Sequence, residues 1–327
     1  MIKNSTGVLI KILFLSLSVL SVYANDLITS YRINGIDGIK KQMDLELTKE
    51  NYWNNYLKDK DTTFGYLESY SSVLTCDKST SSLKFYKEDE HQIFKLQKKY
   101  DAFTGKIQGD KEKEGDLKTP IGVYNLTKKL SNVDSFYGPL AFVTSYPNSY
   151  DQYKGREGHG IWIHGLPINQ ERDDFTKGCI AINNSSIECL DKNINIEKTI
   201  LIINNSEVKQ NTSKEVLSSI LSQLYLWRYA WIYNITDVYL SFYADNFVKN
   251  DGMDFESFKK YKTRVFNKLE KKTIIFNNIN VIPYPNHENT YEVTFKEFYT
   301  SNSFTFAGDK TLMINMDNNK IKIFTEK

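Results

Sequence analysis

Net charge is nearly absent from this chain: 42 Lys and Arg stand against 40 Asp and Glu, for a balance of +2. A protein held to nucleic acid by phosphate contacts would carry a marked basic excess, so that class of partner is not expected. Histidine is scarce at four residues and cysteine at three. His159, His164 and Cys179 do not follow the C-x₂-C or H-x₃-H spacings of a zinc site, and no metal is expected. There is no internal repeat at a fixed period and no low-complexity tract, so a repeat array is not expected either. The one long apolar run, Val8 to Ala24, is slightly short of the ~20 residues that span a bilayer. With Lys3 and Lys11 near its start and Val22-Tyr23-Ala24 at its end, it reads as a secretory signal (1–24) rather than a retained anchor. Cleavage after Ala24 removes two lysines and no acid, leaving 40 basic and 40 acidic groups and no long-range steering field.

An odd cysteine count in an exported chain leaves at least one thiol free or paired between chains. Cys76 and Cys189 could form a disulfide, leaving Cys179 reactive. The alternative is two buried thiols packed as small hydrophobes.

What is present points to several units, since 327 residues are long for one domain. In 25–63, Ile33, Ile36, Ile39, Met43 and Leu47 recur at helical spacings, interrupted by Gly35 and Gly38. This segment is too small for a core of its own and needs a partner surface, either the next domain or a second copy of the chain. From Phe64 to Asn205 the pattern is mostly β with short helices. A hairpin is expected over Tyr70–Tyr86, with strands near 92–100, 121–124, 141–145, 160–164 and 199–203. Ser185 followed by Glu188 suggests a capped helix over 185–191. A polar linker at 206–213 precedes an α+β unit, 214–327. There, helices at 215–247 and 254–271 lead into strands at 274–281, 291–298, 303–306, 311–316 and 321–324.

The chemistry concentrates in Gly155–Ile182. Gly178 before Cys179 allows a sharp turn and close approach to a substrate. His164 ends the run Ile161-Trp162-Ile163, whose alternation places Trp162 and His164 on one face of a strand. A thiol with an imidazole in reach is the minimum kit for a cysteine nucleophile. The amides of Gly178 and Cys179 could hold an oxyanion, and a backbone carbonyl such as that of Gly165 could orient the imidazole. A structural cysteine and a satisfied strand histidine are the bland alternatives, and on residue chemistry alone they stay open.

His164-Gly165, fifteen residues to Cys179, and Thr176-x-Gly178-Cys179-Ile180 together resemble the signature of the L,D-transpeptidase catalytic (YkuD-like) family. Gly109-Asp110, Gly115-Asp116 and Lys118-Thr119-Pro120-x-Gly122-x-Tyr124 also match it. The likeness covers about 64–205. It implies a β-sandwich-like sheet fold with the cysteine in a cleft, no cofactor, and peptidoglycan stem peptides as substrate, reached in the periplasm. Trp162, Lys177, Arg156, Arg172 and His159 are then candidates to wall the pocket or hold the D-Ala carboxylate, and Asp173 and Asp174 could bind stem-peptide amines. Two positions depart from the family pattern: Lys177 and Ala181 stand where His and Arg are frequent. The three-part layout is similar to exported L,D-carboxypeptidases that set helical cell shape, with a small dimerising N-terminal segment and an NTF2-like C-terminal domain. The resemblance thus implies hydrolysis of the terminal D-Ala through a Cys179 thioester. Cross-linking or attachment of a protein to the wall by the same residues is the alternative, and a non-catalytic wall-binding scaffold a remote one.

Overall fold

The computed structural model describes residues 5–169, 173–207 and 212–327, with side chains from residue 26 onward. The expected signal segment therefore lies outside the residues whose side chains are described. Among the described residues no helix is long and apolar enough to cross a membrane. The chain opens with α1 (Ser5–Glu46), kinked where Gly35 takes a φ of 66°, and α2 (Glu50–Leu57). There follow β1 (Tyr66–Leu67), β2 (Ser72–Asp77), β3 (Ser82–Glu88), β4 (Phe94–Phe103), β5 (Gly122–Leu130), β6 (Ala141–Thr144), α3 (Ser149–Tyr153), β7 (Trp162–His164), β8 (Ile180–Ile182), α4 (Asn184–Asn193) and β9 (Thr199–Asn204). The C-terminal part holds α5 (Lys214–Ile232), α6 (Thr236–Ser241), α7 (Phe255–Phe266), β10 (Lys272–Pro283), β11 (Thr290–Ser301), β12 (Thr305–Asp317) and β13 (Lys320–Glu326).

The mainly-β region closes on itself. Its strands run β2-β3-β4-β8-β7-β6-β5-β9 in a barrel, so the sandwich-like sheet of expectation has no free edge. Closure falls to β9, which lies parallel to β2 and antiparallel to β5. Every residue of β9 is buried. Leu201 and Ile203 point into the barrel core, while Ile200 and Ile202 join a second core against the C-terminal domain. Burial on both faces is why this strand reads as an unbroken apolar run.

The C-terminal sheet, β1-β10-β11-β12-β13, packs on α5, whose Leu217, Ile220, Leu221, Leu224, Trp227 and Trp231 recur at helical spacing and are all buried. β1 pairs with β10 through Tyr66↔Val281. Residues 66–67 thus belong to the C-terminal sheet, although the β region was expected to start at 64.

The partner surface demanded by the N-terminal segment is also the C-terminal domain. Trp53 and Leu57 of α2 are buried in its core, with the Trp53 ring 5.2 Å from Tyr225 and its Nε1 donating to the Leu47 carbonyl. Burying a large apolar side chain of this kind contributes roughly 1.5–3 kcal/mol. Asp44 at the end of α1 accepts from Arg228 at 2.8 Å, and Arg228 Nε donates to the Ile274 carbonyl.

Three local expectations differ. The helix expected over 215–247 stops at Ile232 and resumes as α6, with Asn234 between them at a φ of 56°. The strands expected at 303–306 and 311–316 are one, β12. The cap of α4 is Asn183, which accepts from the Ser186 amide, and not Ser185. The linker keeps its place, with 208–211 outside the described residues.

One side chain in the interdomain core is out of character. Glu292 is 6% exposed and shares a face with Ile282 and Met313 across the ladder, both core residues there. Burial first, and the Asp151 charge second, push its carboxyl up to about 8. The folded state therefore holds a proton that the unfolded chain releases near its ordinary value of 4.5. Stability from this group is complete below about pH 4.5 and is lost as pH rises through about 8. Glu292→Gln is expected to flatten this dependence in thermal melts and to stabilise the protein at pH 7 by on the order of 3 kcal/mol.

Candidate active site

β7 and β8 are parallel neighbours in the register Ile163↔Ile180 and His164↔Ala181. Ile161, Ile163, Ile180 and Ile182 fill the barrel core. The alternation therefore sends Trp162, His164, Cys179 and Ala181 to the outer face. Cys179, one residue before β8, falls opposite Trp162, whose amide donates to its Sγ at 3.4 Å. The thiol donates to the Gly160 carbonyl at 3.4 Å. His164 and Cys179 line the same cavity on that face.

His164 is 2% exposed. Its Nδ1 lies 2.6 Å from the carbonyl oxygen of Gly165. A carbonyl can only accept, so Nδ1 carries a proton, and in the neutral imidazole the lone pair is on Nε2. The Tyr137 ring meets the imidazole edge-on at 5.0 Å and tilts against Trp162 at 5.0 Å. Burial, then the charge of Cys179, raise the Tyr137 phenol above its ordinary value. The Gly165 amide donates to the Tyr137 carbonyl. A Cβ on Gly165 would stand 2.4 Å from Asn184 Oδ1 and 2.8 Å from the Pro139 ring, and Asn184 Oδ1 accepts from the Leu166 amide. Only glycine lets the chain come this close while its carbonyl turns back to the imidazole.

Thr176 shapes the turn before the nucleophile. Its Oγ1 accepts from the Gly178 amide at 3.0 Å and donates to the Cys179 carbonyl at 2.6 Å. Its backbone bonds to Thr104 and Lys106 anchor the turn to the segment that follows β4. This corrects one expectation: the Gly178 N–H is engaged by Thr176 and does not point at a substrate oxyanion. Arg156 corrects another. It is paired with Asp151 at 2.7 Å and with Asp110, its side chain 11% exposed, and has no guanidinium face left for a substrate carboxylate. His159 is exposed, 4.0 Å from Glu114, and is not among the residues that line the cleft. Arg172 lies outside the described residues.

Lys177 does face the cleft, a cavity of about 460 Å³ that it lines with Phe136, Tyr137, His164, Phe175 and Cys179. Ala181 is fully buried and stands level with Phe103 on one side and His164 on the other. Tyr137, Thr176 and Asn184 are the residues that sequence reasoning did not assign. Thr176 was visible within the signature. Tyr137 and Asn184 come from segments whose approach to the site only folding decides. The other two thiols are accounted for. Cys76 is inside the barrel, where burial pushes it up to about 12. Cys189 sits on α4 against Lys98, and the two are not bonded to each other.

The glycine-acid pairs of the signature are structural. Asp116 accepts from Lys111 at 2.8 Å in a buried pair. Although burial works against it, the Lys111 bond and three backbone amides hold its carboxyl down at about 2. Lys78 inserts its ammonium between the carbonyls of Gly109 and Thr119.

The sequence over 71–203 matches the L,D-transpeptidase catalytic domain, and 219–327 match the Cds6 C-terminal NTF2-like domain. A solved structure of the helical cell shape determining protein Pgp2 of Campylobacter jejuni is 36% identical, with a TM-score of 0.79, over 86% of this chain and 99% of that one. The chain belongs to the L,D-transpeptidase (YkuD) family. Bd1075 of Bdellovibrio bacteriovorus is 25% identical, with a TM-score of 0.64, over 82% of this chain and 96% of that one. YafK of Escherichia coli (strain K12) is 35% identical over 80 residues, a stretch that is 24% of this chain and 29% of YafK. Family membership makes the barrel a peptidoglycan-directed enzyme domain and its C-terminal companion an NTF2-like domain.

Proposed function

We propose that the protein is a cysteine-dependent L,D-carboxypeptidase that removes the terminal D-Ala from tetrapeptide stems of peptidoglycan and so affects cell shape. The observation that carries this reading is the 2.6 Å bond from His164 Nδ1 to Gly165. It presents a basic Nε2 on the strand face shared with Cys179. In the proposed cycle, Nε2 takes the thiol proton and the thiolate attacks the carbonyl between meso-diaminopimelate and D-Ala. The Cys179 amide, without Gly178, stabilises the oxyanion. His164 returns the proton to the leaving amine, and water hydrolyses the thioester to free the tripeptide. Lys177 at the cleft mouth is the proposed ligand of the D-Ala carboxylate, and Trp162, outside the cavity lining but packed on Tyr137 at 5.0 Å, is proposed to back the pocket wall.

Cross-linking by the same residues is the second reading. Lys177 and the buried Ala181 favour water, because the guanidinium frequent beside the nucleophile in this family is missing. Incubation of the purified protein with disaccharide tetrapeptide is expected to give tripeptide and free D-Ala. Cross-linked dimers as the main product would sink the hydrolytic assignment. The reading also places the protein in the periplasm behind a signal cleaved after Ala24. Ile28, Tyr31, Ile33 and Ile36 on α1, each more than half exposed, are proposed to meet a second copy, a state that sedimentation equilibrium reads directly.

A further inference from the structure

Arg156 is where three parts of the molecule meet. One arm of its guanidinium binds Asp151 of α3, and the other binds Asp110. The Asp110 carboxylate also accepts from the amides of Lys111 and Ile121, which clamps both ends of the loop 110–121. That loop backs the nucleophile turn. The Lys118 carbonyl oxygen stands 2.9 Å from where a Cβ on Gly178 would be. Thr119 Oγ1 accepts from Gly105, the residue bridged to Thr176. The same loop holds the segment after α3, because the Glu157 amide donates to the Glu112 carbonyl. Three residues further along that segment is Gly160, whose carbonyl receives the Cys179 thiol.

The third part is the C-terminal domain. The guanidinium lies over the Tyr150 ring at 5.3 Å. That ring packs on Tyr284 at 4.5 Å, and its hydroxyl is 3.1 Å from His287 Nε2. Asn148 Nδ2, at the cap of α3, is 3.0 Å from the Tyr284 hydroxyl.

We propose that Arg156 is a positioning residue that locks the two loops flanking Cys179 to each other and to the docked C-terminal domain, so that domain docking sets the reactivity of the thiol. The proposal rests on Cys179 being the nucleophile of the proposed hydrolysis. A planar fork is needed to reach two carboxylates at once, which a lysine cannot do. A misplacement of about 1 Å at a reacting group costs on the order of 100-fold in rate, so a small slip of either loop is enough.

The test uses the full chain with Arg156→Lys, Asp110→Asn, their combination, and His287→Ala. Two readouts are taken on samples shown to be folded by thermal melts: kcat and KM on disaccharide tetrapeptide, and the iodoacetamide alkylation rate of the Cys179 peptide by mass spectrometry. Arg156→Lys and Asp110→Asn are each expected to lower kcat by about 30-fold or more with KM within about threefold. The combination is expected to be no worse than either alone, as for members of one unit. His287→Ala is expected to lower kcat by about threefold from outside the barrel. Alkylation rates are expected to change in the same order. Asp110→Asn leaves the buried Arg156–Asp151 pair intact, so it carries the test if Arg156→Lys melts. Wild-type kcat and alkylation in the folded variants, losses confined to KM, or additive losses in the combination would overturn the proposal. If the wild-type protein releases no D-Ala, the carboxypeptidase reading fails, while the alkylation series still decides the positioning role.

Discussion

Cys179→Ala is expected to lower D-Ala release from disaccharide tetrapeptide by on the order of 10⁴-fold or more, as removal of a nucleophile does in comparable covalent enzymes. The thiol is held between the Trp162 amide and the Gly160 carbonyl. Cys179→Ser should fare little better. A hydroxyl in the same place is far less ionised than a thiol and depends wholly on its base for activation. His164→Ala should come close to the same loss, because base and nucleophile act as one unit and their removal is not additive. The Cys179→Ala, His164→Ala double variant is therefore expected to be no less active than either single variant. Activity of Cys179→Ala within about tenfold of wild type would show that the chemistry resides elsewhere. Cys76 and Cys189 provide internal controls: Cys76→Ala and Cys189→Ala should leave kcat within about twofold, since both thiols lie away from the cleft.

Gly178→Ala is expected to lower kcat by about 100-fold while leaving the thiol chemically intact. Gly178 has a φ of 136°, and a Cβ there would lie 2.9 Å from the Lys118 carbonyl oxygen and 3.2 Å from the Ile161 side chain. A non-glycine residue in this region of backbone space costs about 1–3 kcal/mol, and the turn can relieve that strain only by moving. Movement would break the Thr176 bonds to Gly178 and Cys179 and carry Sγ away from the imidazole. The expected signature is a fall in kcat with KM changed by less than about threefold, together with a thermal shift of a few degrees. Gly252→Ala is the matched control. It also has a positive φ, 89°, but open space around it and no link to the barrel. It should cost stability alone. An unchanged kcat in Gly178→Ala would mean that the turn tolerates displacement and that Thr176 does not position the nucleophile.

The barrel strands were legible where one face or both are apolar. β2 and β3 pair as the hairpin that Tyr70–Tyr86 suggested, and β9 closes the barrel as its β-branched run implied. Boundaries were lost where a local signal had a nearby rival. Ser185 looked like the cap of α4, but Asn183 sits at the residue where the chain is still extended, at a ψ of 157°. The long aromatic helix after the linker broke at Asn234, a residue that tolerates positive φ. Tyr66–Leu67 could not be assigned to the C-terminal sheet from sequence, because its partner β10 lies more than 200 residues away and a two-residue strand has no periodicity to read.

The sequence alone supplied the candidate residues for the proposed chemistry. His164-Gly165 and Gly178-Cys179 are each neighbours along the chain, so the imidazole with its carbonyl and the thiol with its turn glycine could be read as two local units, while the pairing of β7 with β8 brings the two units together. Tertiary structure decided which charges are free to meet a substrate. Arg156 and Lys177 both carry a positive charge in the stretch that leads to Cys179. Asp110 comes from a loop 46 residues before Arg156 and Asp151 from α3, and together they consume the arginine, while Lys177 is left exposed. Ion pairing depends on what the fold brings within a few ångströms, and one sequence with no partner distances cannot supply that.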